Sequence, residues 1–393
     1  MHPDSGGTSQ GIRNIIPELE KLGLHNEVVC LDDPSNQSNV KDPFLIIALG
    51  PAKGPWQYNA KLIPWLVDNL DRFDIIIINA LWLYHGYAFR KALNQYKKLH
   101  EDQKNLKCPK FFVMPHGMLD PYFQKDSERK IKAIRNWIYW KLIESKLVNS
   151  ADGVLFTCQS ELQLAREPFR PYNPKREINI GYGTELPPSY HEDMKAAFLE
   201  KCPQVKDQPF ILFLSRIHEK KGVDLLIEAY STLLNEPGAF PKLIIAGPGL
   251  DSEYGKKMMK LVSVSKTLKD TVFFPGMLAG QAKWGAFYLC EAFILPSHQE
   301  NFGIAVVEAL ACGKPVLISN QVNIWHEIVE NNAGMVEEDT VSGVEKLLRR
   351  WHHLPLDEKK AIKERAYSCF LNNFSIHLSA KKFKELVIQE SNS

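Results

Sequence analysis

Glu300 and Glu308 stand eight residues apart in Leu295-Pro296-Ser297-His298-Gln299-Glu300-Asn301-Phe302-Gly303-Ile304-Ala305-Val306-Val307-Glu308. An apolar run ends at Pro296, a polar loop with one glycine follows, and the apolar periodicity of a helix opens near Gly303. Glu300 then belongs to the loop and Glu308 to the helix, about one and a half turns in, so both carboxylates can face one cleft at different depths. A carboxylate that accepts from two vicinal hydroxyls is a natural holder of a ribose or a hexose. The unpaired N–H groups of the helix start, around Phe302, Gly303 and Ile304, suit the phosphates of a nucleotide-sugar. Taken by spacing alone, the pair also fits two surface glutamates on an ordinary helix.

A second group follows an earlier apolar run, in Ser215-Arg216-Ile217-His218-Glu219-Lys220-Lys221-Gly222. Arg216 and Lys221, on one loop and helix start, are placed to clamp a diphosphate, where a departing nucleoside diphosphate gains negative charge. Solvated cations beside a strand fit the same pattern. Gly247 and Gly249, in Ala246-Gly247-Pro248-Gly249, close the next run as a tight turn that lets backbone approach a ligand. Ser5-Gly6-Gly7-Thr8-Ser9 leads into a helix predicted over about 10–22, and Gly6 and Gly7 leave room for a diphosphate or an acceptor near its N–H groups. His116 follows another run, in Met114-Pro115-His116-Gly117, placed to hydrogen-bond a sugar hydroxyl or a backbone carbonyl; a structural histidine at a turn is the plainer alternative. The aromatic residues of Asn79-Ala80-Leu81-Trp82-Leu83-Tyr84-His85 border an acceptor groove or pack into the core.

All these loops follow short continuous apolar runs, as expected of strands buried on both faces of a parallel sheet. The first half offers 27–31, 44–49, 74–80, 111–115, 153–157 and 177–180; the second offers 210–215, 243–246, 272–274, 292–295, 315–318 and 334–336. Amphipathic helical stretches alternate with them, which is a βαβ pattern twice over. Pro187-Pro188 marks a hinge between the halves, and 393 residues suit two domains of about 150–200 residues each. In such sheets ligands bind beyond the carboxyl ends of the strands.

Composition narrows the function classes. Apolar content of 45% and charged content of 24% are those of a folded globular protein. A net charge of +2 leaves no electrostatic footprint for nucleic acid. Seven scattered cysteines without a C-x-x-C argue against a disulfide framework or a zinc site, and no apolar run reaches the roughly 20 residues of a membrane span. Met1-His2-Pro3-Asp4 lacks the features of a signal peptide, so the chain is expected in the cytoplasm. One local bias stands out: seven Lys/Arg against three acidic residues between Lys125 and Lys146, interleaved with Trp137, Tyr139 and Trp140. A helix predicted over 128–147 has Ile131, Ile134, Ile138, Leu142 and Ile143 on one side. It either packs on the sheet or touches the inner face of a membrane.

The E-x7-E signature of Glu300 and Glu308, with Phe302 and Gly303 between them, resembles the retaining, glycogen-synthase-like glycosyltransferases of family 4. The resemblance implies the GT-B architecture, α/β with two Rossmann-like doubly wound domains facing each other across a cleft. Residues 1–187 would form the acceptor-side domain, 188–374 the nucleotide-sugar domain, and 375–393 a helix crossing back onto the first. It assigns the donor hexose to Glu300, the nucleotide ribose to Glu308, and the sugar and diphosphate to backbone around Phe302, Gly303 and Ile304. Arg216 and Lys221 would clamp the diphosphate without a metal, Gly247 and Gly249 would approach the nucleotide, and His116 the transferred sugar. Phe274-Pro275-Gly276-Met277 corresponds to a segment that meets the nucleobase.

The implied reaction is retaining hexosyl transfer from a nucleoside diphosphate sugar, with no cofactor, to a saccharide or lipid-linked saccharide, as in surface-polysaccharide synthesis. The sequence departs from the pattern in two places. Gly181-Tyr182-Gly183 replaces an N-G-V/I turn, and members begin with an apolar strand before the glycine loop that residues 1–4 do not make, so the chain as given is expected to start late. A sugar-nucleotide epimerase of the same frame and a catalytically silent relative are the alternatives. A nicotinamide dehydrogenase lacks its G-x-G-x-x-G.

Overall fold

The structure is a computed structural model that describes residues 1, 7–35, 42–104, 106–125, 130–236 and 238–389. The chain divides into two units, Met1–Gly183 with Ile376–Ser393, and Thr184–Ser375. The division falls just before the paired prolines, and the first unit is completed by residues that follow the second.

In the first unit the apolar runs become β1 (Glu27–Cys30), β2 (Leu45–Ala48), β3 (Ile75–Asn79), β4 (Lys110–Met114), β5 (Gly153–Phe156) and β6 (Glu177–Asn179), all paired in parallel. Alternation along the strands explains why the runs are continuous. Phe111, Val113, Val154 and Phe156 join Phe89, Trp140 and Leu147 in one core, while Phe112, Met114, Leu155 and Ile178 join Leu19, Ala380, Phe383 and Val387 in another. Both faces are covered, so neither tolerates polar residues. The pattern predicted a single sheet, but the strands form two: β1 with β2, and β3-β4-β5-β6 in that order. β1 and β3 are not hydrogen-bonded to one another, and no strand among the described residues pairs with their outer edges. The first described element after Met1 is the helix Gly7–Lys21, which starts three residues before the predicted position.

The second unit carries β7 (Phe210–Leu214), β8 (Lys242–Ala246), β9 (Val272–Gly276), β10 (Ala292–Leu295), β11 (Val316–Ser319) and β12 (Gly334–Glu337). They form one parallel sheet in the order β12-β11-β10-β7-β8-β9. This is a doubly wound order, and the strand sequence reverses between β7 and β10. The loops after those two strands carry Arg216 and Glu300 respectively.

The basic aromatic segment differs from a plain surface helix. It runs as a helix Lys130–Tyr139, a π-helical stretch Trp140–Glu144 and a helix Ser145–Ser150, with its predicted start at 128 outside the described residues. No side chain of Lys130–Tyr139 is buried: Ile131, Ile134, Trp137, Ile138 and neighbouring Leu142 are all exposed, with Ile131 at 86%. Trp140 is instead fully buried, stacked on Phe169 at 4.9 Å, so only one of the two tryptophans belongs to the exposed side.

Candidate active site

Three loops at the carboxyl edge of the second unit's sheet are laced by backbone hydrogen bonds. Ser215 N–H donates to Ala246 at 3.1 Å, Ile217 N–H to Pro248 at 2.8 Å, and Gly247 N–H to Gly276 at 2.9 Å. Gly247 sits at φ 143° and a Cβ there would run into the Ser215 carbonyl oxygen, so glycine is required for two loops to lie this close. Gly249, at φ 110°, meets the Ile217 carbonyl in the same way. The loops after β7 and β10 are joined too: His298 N–H donates to the Lys220 carbonyl at 2.9 Å and the Ser297 hydroxyl to the same oxygen at 3.0 Å.

This lacing brings Lys221 and Glu300 together in an ion pair, with Lys221 nearly buried and Glu300 about a quarter exposed. Glu300 is fixed through its backbone as well, donating to Gln321 and accepting from Asn323, each at 2.9 Å. An ammonium and a carboxylate held at this depth need each other, because removing one partner leaves the other charge poorly solvated. Arg216, in contrast, is exposed and has no ion-pair or hydrogen-bond partner among the described residues. Of the two predicted clamp cations, Lys221 is therefore paired and Arg216 uncommitted. Gly303, at φ 77°, precedes the helix Ile304–Ala311, which carries Glu308. The Phe302 side chain turns away into the core, edge-on to Phe374 at 5.8 Å, so only its backbone is available to a ligand.

Sequence reasoning missed two partners. Lys283 donates to Glu308 at 2.8 Å and lies 4.1 Å from the Trp284 ring centre. It is the single charge in the helix Gly280–Leu289, and that isolation was the available signal. His298 pairs through Nδ1 with Asp339 at 2.8 Å, a contact between residues 41 apart that no local pattern announces.

In the first unit, His116 lies just past β4 with φ 51°, followed by Gly117 at φ 79°. Its Nε2 meets Asn79 Oδ1 at 2.9 Å, and burial pushes its pKa down to about 4, so the ring is neutral at ordinary pH. The loop after β3 is also unusual, with Ala80 at φ 71° and Trp82 at φ 69°. Glu144 accepts the Trp82 N–H at 2.8 Å. His85 contacts the Ala80 carbonyl at 3.3 Å, and burial lowers its pKa. Trp82 packs against Tyr139, Trp140 and Phe169, which places its side chain with the core cluster. Gly7 is the first residue of its helix, and its carbonyl accepts from the Tyr182 hydroxyl at 3.2 Å; Gly6 lies outside the described residues.

Two family models match the chain in succession: Glycosyltransferase Family 4 over residues 5–176 and Glycosyl transferases group 1 over residues 195–368. An uncharacterised glycosyltransferase of Methanocaldococcus jannaschii is 29% identical over 151 residues, 37% of each chain. The matched region thus spans about a third of the length of such curated relatives. Among solved structures, a glycosyltransferase from Rickettsia africae superposes with a TM-score of 0.74 at 19% identity, covering 98% of this chain and 96% of that one. Anabaena HepE, solved with UDP and glucose, gives 0.71 at 17% identity, covering 97% and 96%. No helix among the described residues is long and apolar enough to cross a membrane. Both halves matched in chain order, on two Rossmann-like units, make this chain a member of the family 4 type of glycosyltransferases.

Proposed function

We propose that this protein transfers a hexosyl group, with retention of configuration, from a nucleoside diphosphate sugar to a hydroxyl of a saccharide or lipid-linked saccharide acceptor in surface-polysaccharide assembly. The carrying observation is the Lys221–Glu300 ion pair at the switch point of the second unit's sheet, with Arg216 uncommitted on the same loop as Lys221. A leaving diphosphate gains negative charge as the glycosidic bond breaks, and the Arg216 guanidinium and Lys221 ammonium stabilise it there without a resident metal. Lys221 holds the Glu300 carboxylate in place, so that it accepts from hexose hydroxyls while Glu308, steadied by Lys283, accepts from the ribose. The acceptor hydroxyl attacks from the face the diphosphate leaves, and the donor phosphate takes its proton. UDP and glucose bound to Anabaena HepE support the donor class.

The exposed apolar side of the helix Lys130–Tyr139, flanked by Lys130, Lys132, Arg135 and Lys141, supports peripheral contact with an anionic membrane from the cytoplasmic side. A lipid-linked acceptor follows naturally from that contact.

Thermal-shift and donor-hydrolysis screens against a panel of nucleotide-sugars, run in chelator, test the reading with wild type beside Glu300→Ala and Arg216→Ala. One donor should stabilise and turn over slowly on the wild type alone, and the released product should retain its anomeric configuration by NMR. A folded wild type that responds to no donor would instead favour a binding protein without catalysis.

A further inference from the structure

The proposed function leaves Asn79 and Glu161 without a role, yet both touch the His116 turn from neighbouring elements. Asn79 is the last residue of β3, and the register pairs it with Met114, the last residue of β4. Ala80 N–H then donates to the Met114 carbonyl at 2.9 Å, which fixes the end of β3 beside the segment leading to His116. Asn79 Oδ1 lies 2.9 Å from His116 Nε2. From the other side, the buried Glu161 carboxylate accepts the Gly117 N–H together with the N–H and hydroxyl of Thr157, at 2.8 and 2.6 Å. Two successive left-handed residues, one of them not glycine, cost backbone strain, and this bracket holds them.

We propose that Asn79 is a positioning residue: its carbonyl oxygen selects the Nε2–H tautomer of His116 and leaves Nδ1 as a neutral hydrogen-bond acceptor for a substrate hydroxyl, with Glu161 clamping the turn. An amide oxygen only accepts, so the ring nitrogen facing it must carry the proton. An asparagine suits this task better than an aspartate. A carboxylate at the same place would favour imidazolium and convert the acceptor into a donor. The ionisable groups on the surrounding elements are Glu161 through Gly117, Asp120 at the end of the same loop, and two groups that contact the loop after β3, His85 from the helix that follows it and Glu144 from the π-helical stretch. Burial, rather than any of these charges, keeps the His116 ring neutral. The role in catalysis rests on the glycosyl-transfer reading above; the tautomer does not.

Two measurements separate the two. In ligand-free protein labelled with ring 15N-histidine, with His116 assigned by its loss in His116→Gln, the ring should show a protonated Nε2 and an unprotonated Nδ1 from pH 6 to 9. In Asn79→Asp the same ring should acquire a titration inside that range, displaced upward by about two units or more. With the nucleotide-sugar found by screening, wild-type kcat should be flat over that range. Asn79→Asp should approach wild type at pH 9 and fall progressively as pH drops. Asn79→Ala should lose about tenfold or more in kcat at every pH, with the donor KM within about threefold, as expected for a misplaced general hydrogen-bonding group.

A group that merely supports the fold would lower both variants uniformly in pH. An unprotonated Nε2 in the wild type, or an Asn79→Asp profile superimposable on the wild type's, overturns the proposal. If no donor is turned over, glycosyl transfer fails as a reading while the nitrogen spectrum still decides the role of Asn79.

Discussion

Replacing Glu144 by glutamine should stabilise the first unit, by an amount that grows as the pH rises. Glu144 is 1% exposed, one of its oxygens holds the Trp82 N–H at 2.8 Å, and the other has no hydrogen-bond partner among the described residues. Burial pushes its pKa up to about 7, from an ordinary 4.5. Below about pH 4.5 the group is protonated in both the folded and unfolded states, so it adds no pH dependence. Between 4.5 and 7 the folded protein keeps the proton that the unfolded chain has released, and stability falls with rising pH. Above about pH 7 both states are ionised and the folded state bears the full cost of a buried charge, on the order of 3 kcal/mol at 1.36 kcal/mol per pH unit.

Glutamine stays neutral and still accepts from Trp82, so its advantage over wild type should increase by about 2–3 kcal/mol between pH 5 and pH 8. For a unit of this size that is a rise of roughly 5–10 °C in the relative Tm. Calorimetric melts of both proteins across that range, with the first unit's transition followed by tryptophan fluorescence, measure it. A difference that stays constant with pH, or shrinks as pH rises, would refute the reasoning.

Three further perturbations have defined outcomes. Lys283→Met should weaken binding of the donor nucleotide about tenfold in titration calorimetry while leaving the melting temperature within about 2 °C, because it removes a charge-assisted hydrogen bond to Glu308. Gly247→Ala should cost about 2 kcal/mol or more of stability and abolish the donor-induced thermal shift, since both its φ of 143° and the Ser215 carbonyl forbid a Cβ. Ile134→Glu with Trp137→Glu should release the protein from sedimenting vesicles rich in anionic lipid without changing its melting temperature, as both side chains are exposed; unchanged sedimentation would rule out that face as a lipid contact.

Much of this architecture was readable in advance because buried parallel strands write a simple signature. All twelve strands among the described residues fall where the continuous apolar runs are, since most are buried on both faces, as Phe111 and Phe112 are on opposite sides of β4. The strand-end loops carrying Arg216, Glu300 and His116 were legible for the same reason. Pairings across the chain were not: Lys283 with Glu308, His298 with Asp339, and Asn79 with His116 depend on register and crossover order rather than on local spacing. The split of the first unit's strands into two sheets is likewise a matter of pairing, which period alone does not encode. The segment around Trp137 and Trp140 shows a finer limit. Trp140 lies where the segment meets the core while Trp137, three residues earlier, stays exposed, and a helical period does not say at which turn that burial begins.

The discontinuity of the first unit bears on how the protein is made. Leu19, Phe112, Leu155 and Ile178 share their core with Ala380, Phe383 and Val387, yet the whole of Thr184–Ser375 is synthesised between them. At roughly 5–20 residues per second, that apolar surface waits on the order of 10–40 seconds on the ribosome before its cover emerges. The second unit, one uninterrupted segment, completes its core inside that interval. A ribosome that stalls or terminates after Ser375 therefore releases a finished second unit attached to a first unit with an open, sticky face, a natural client for chaperones and proteases.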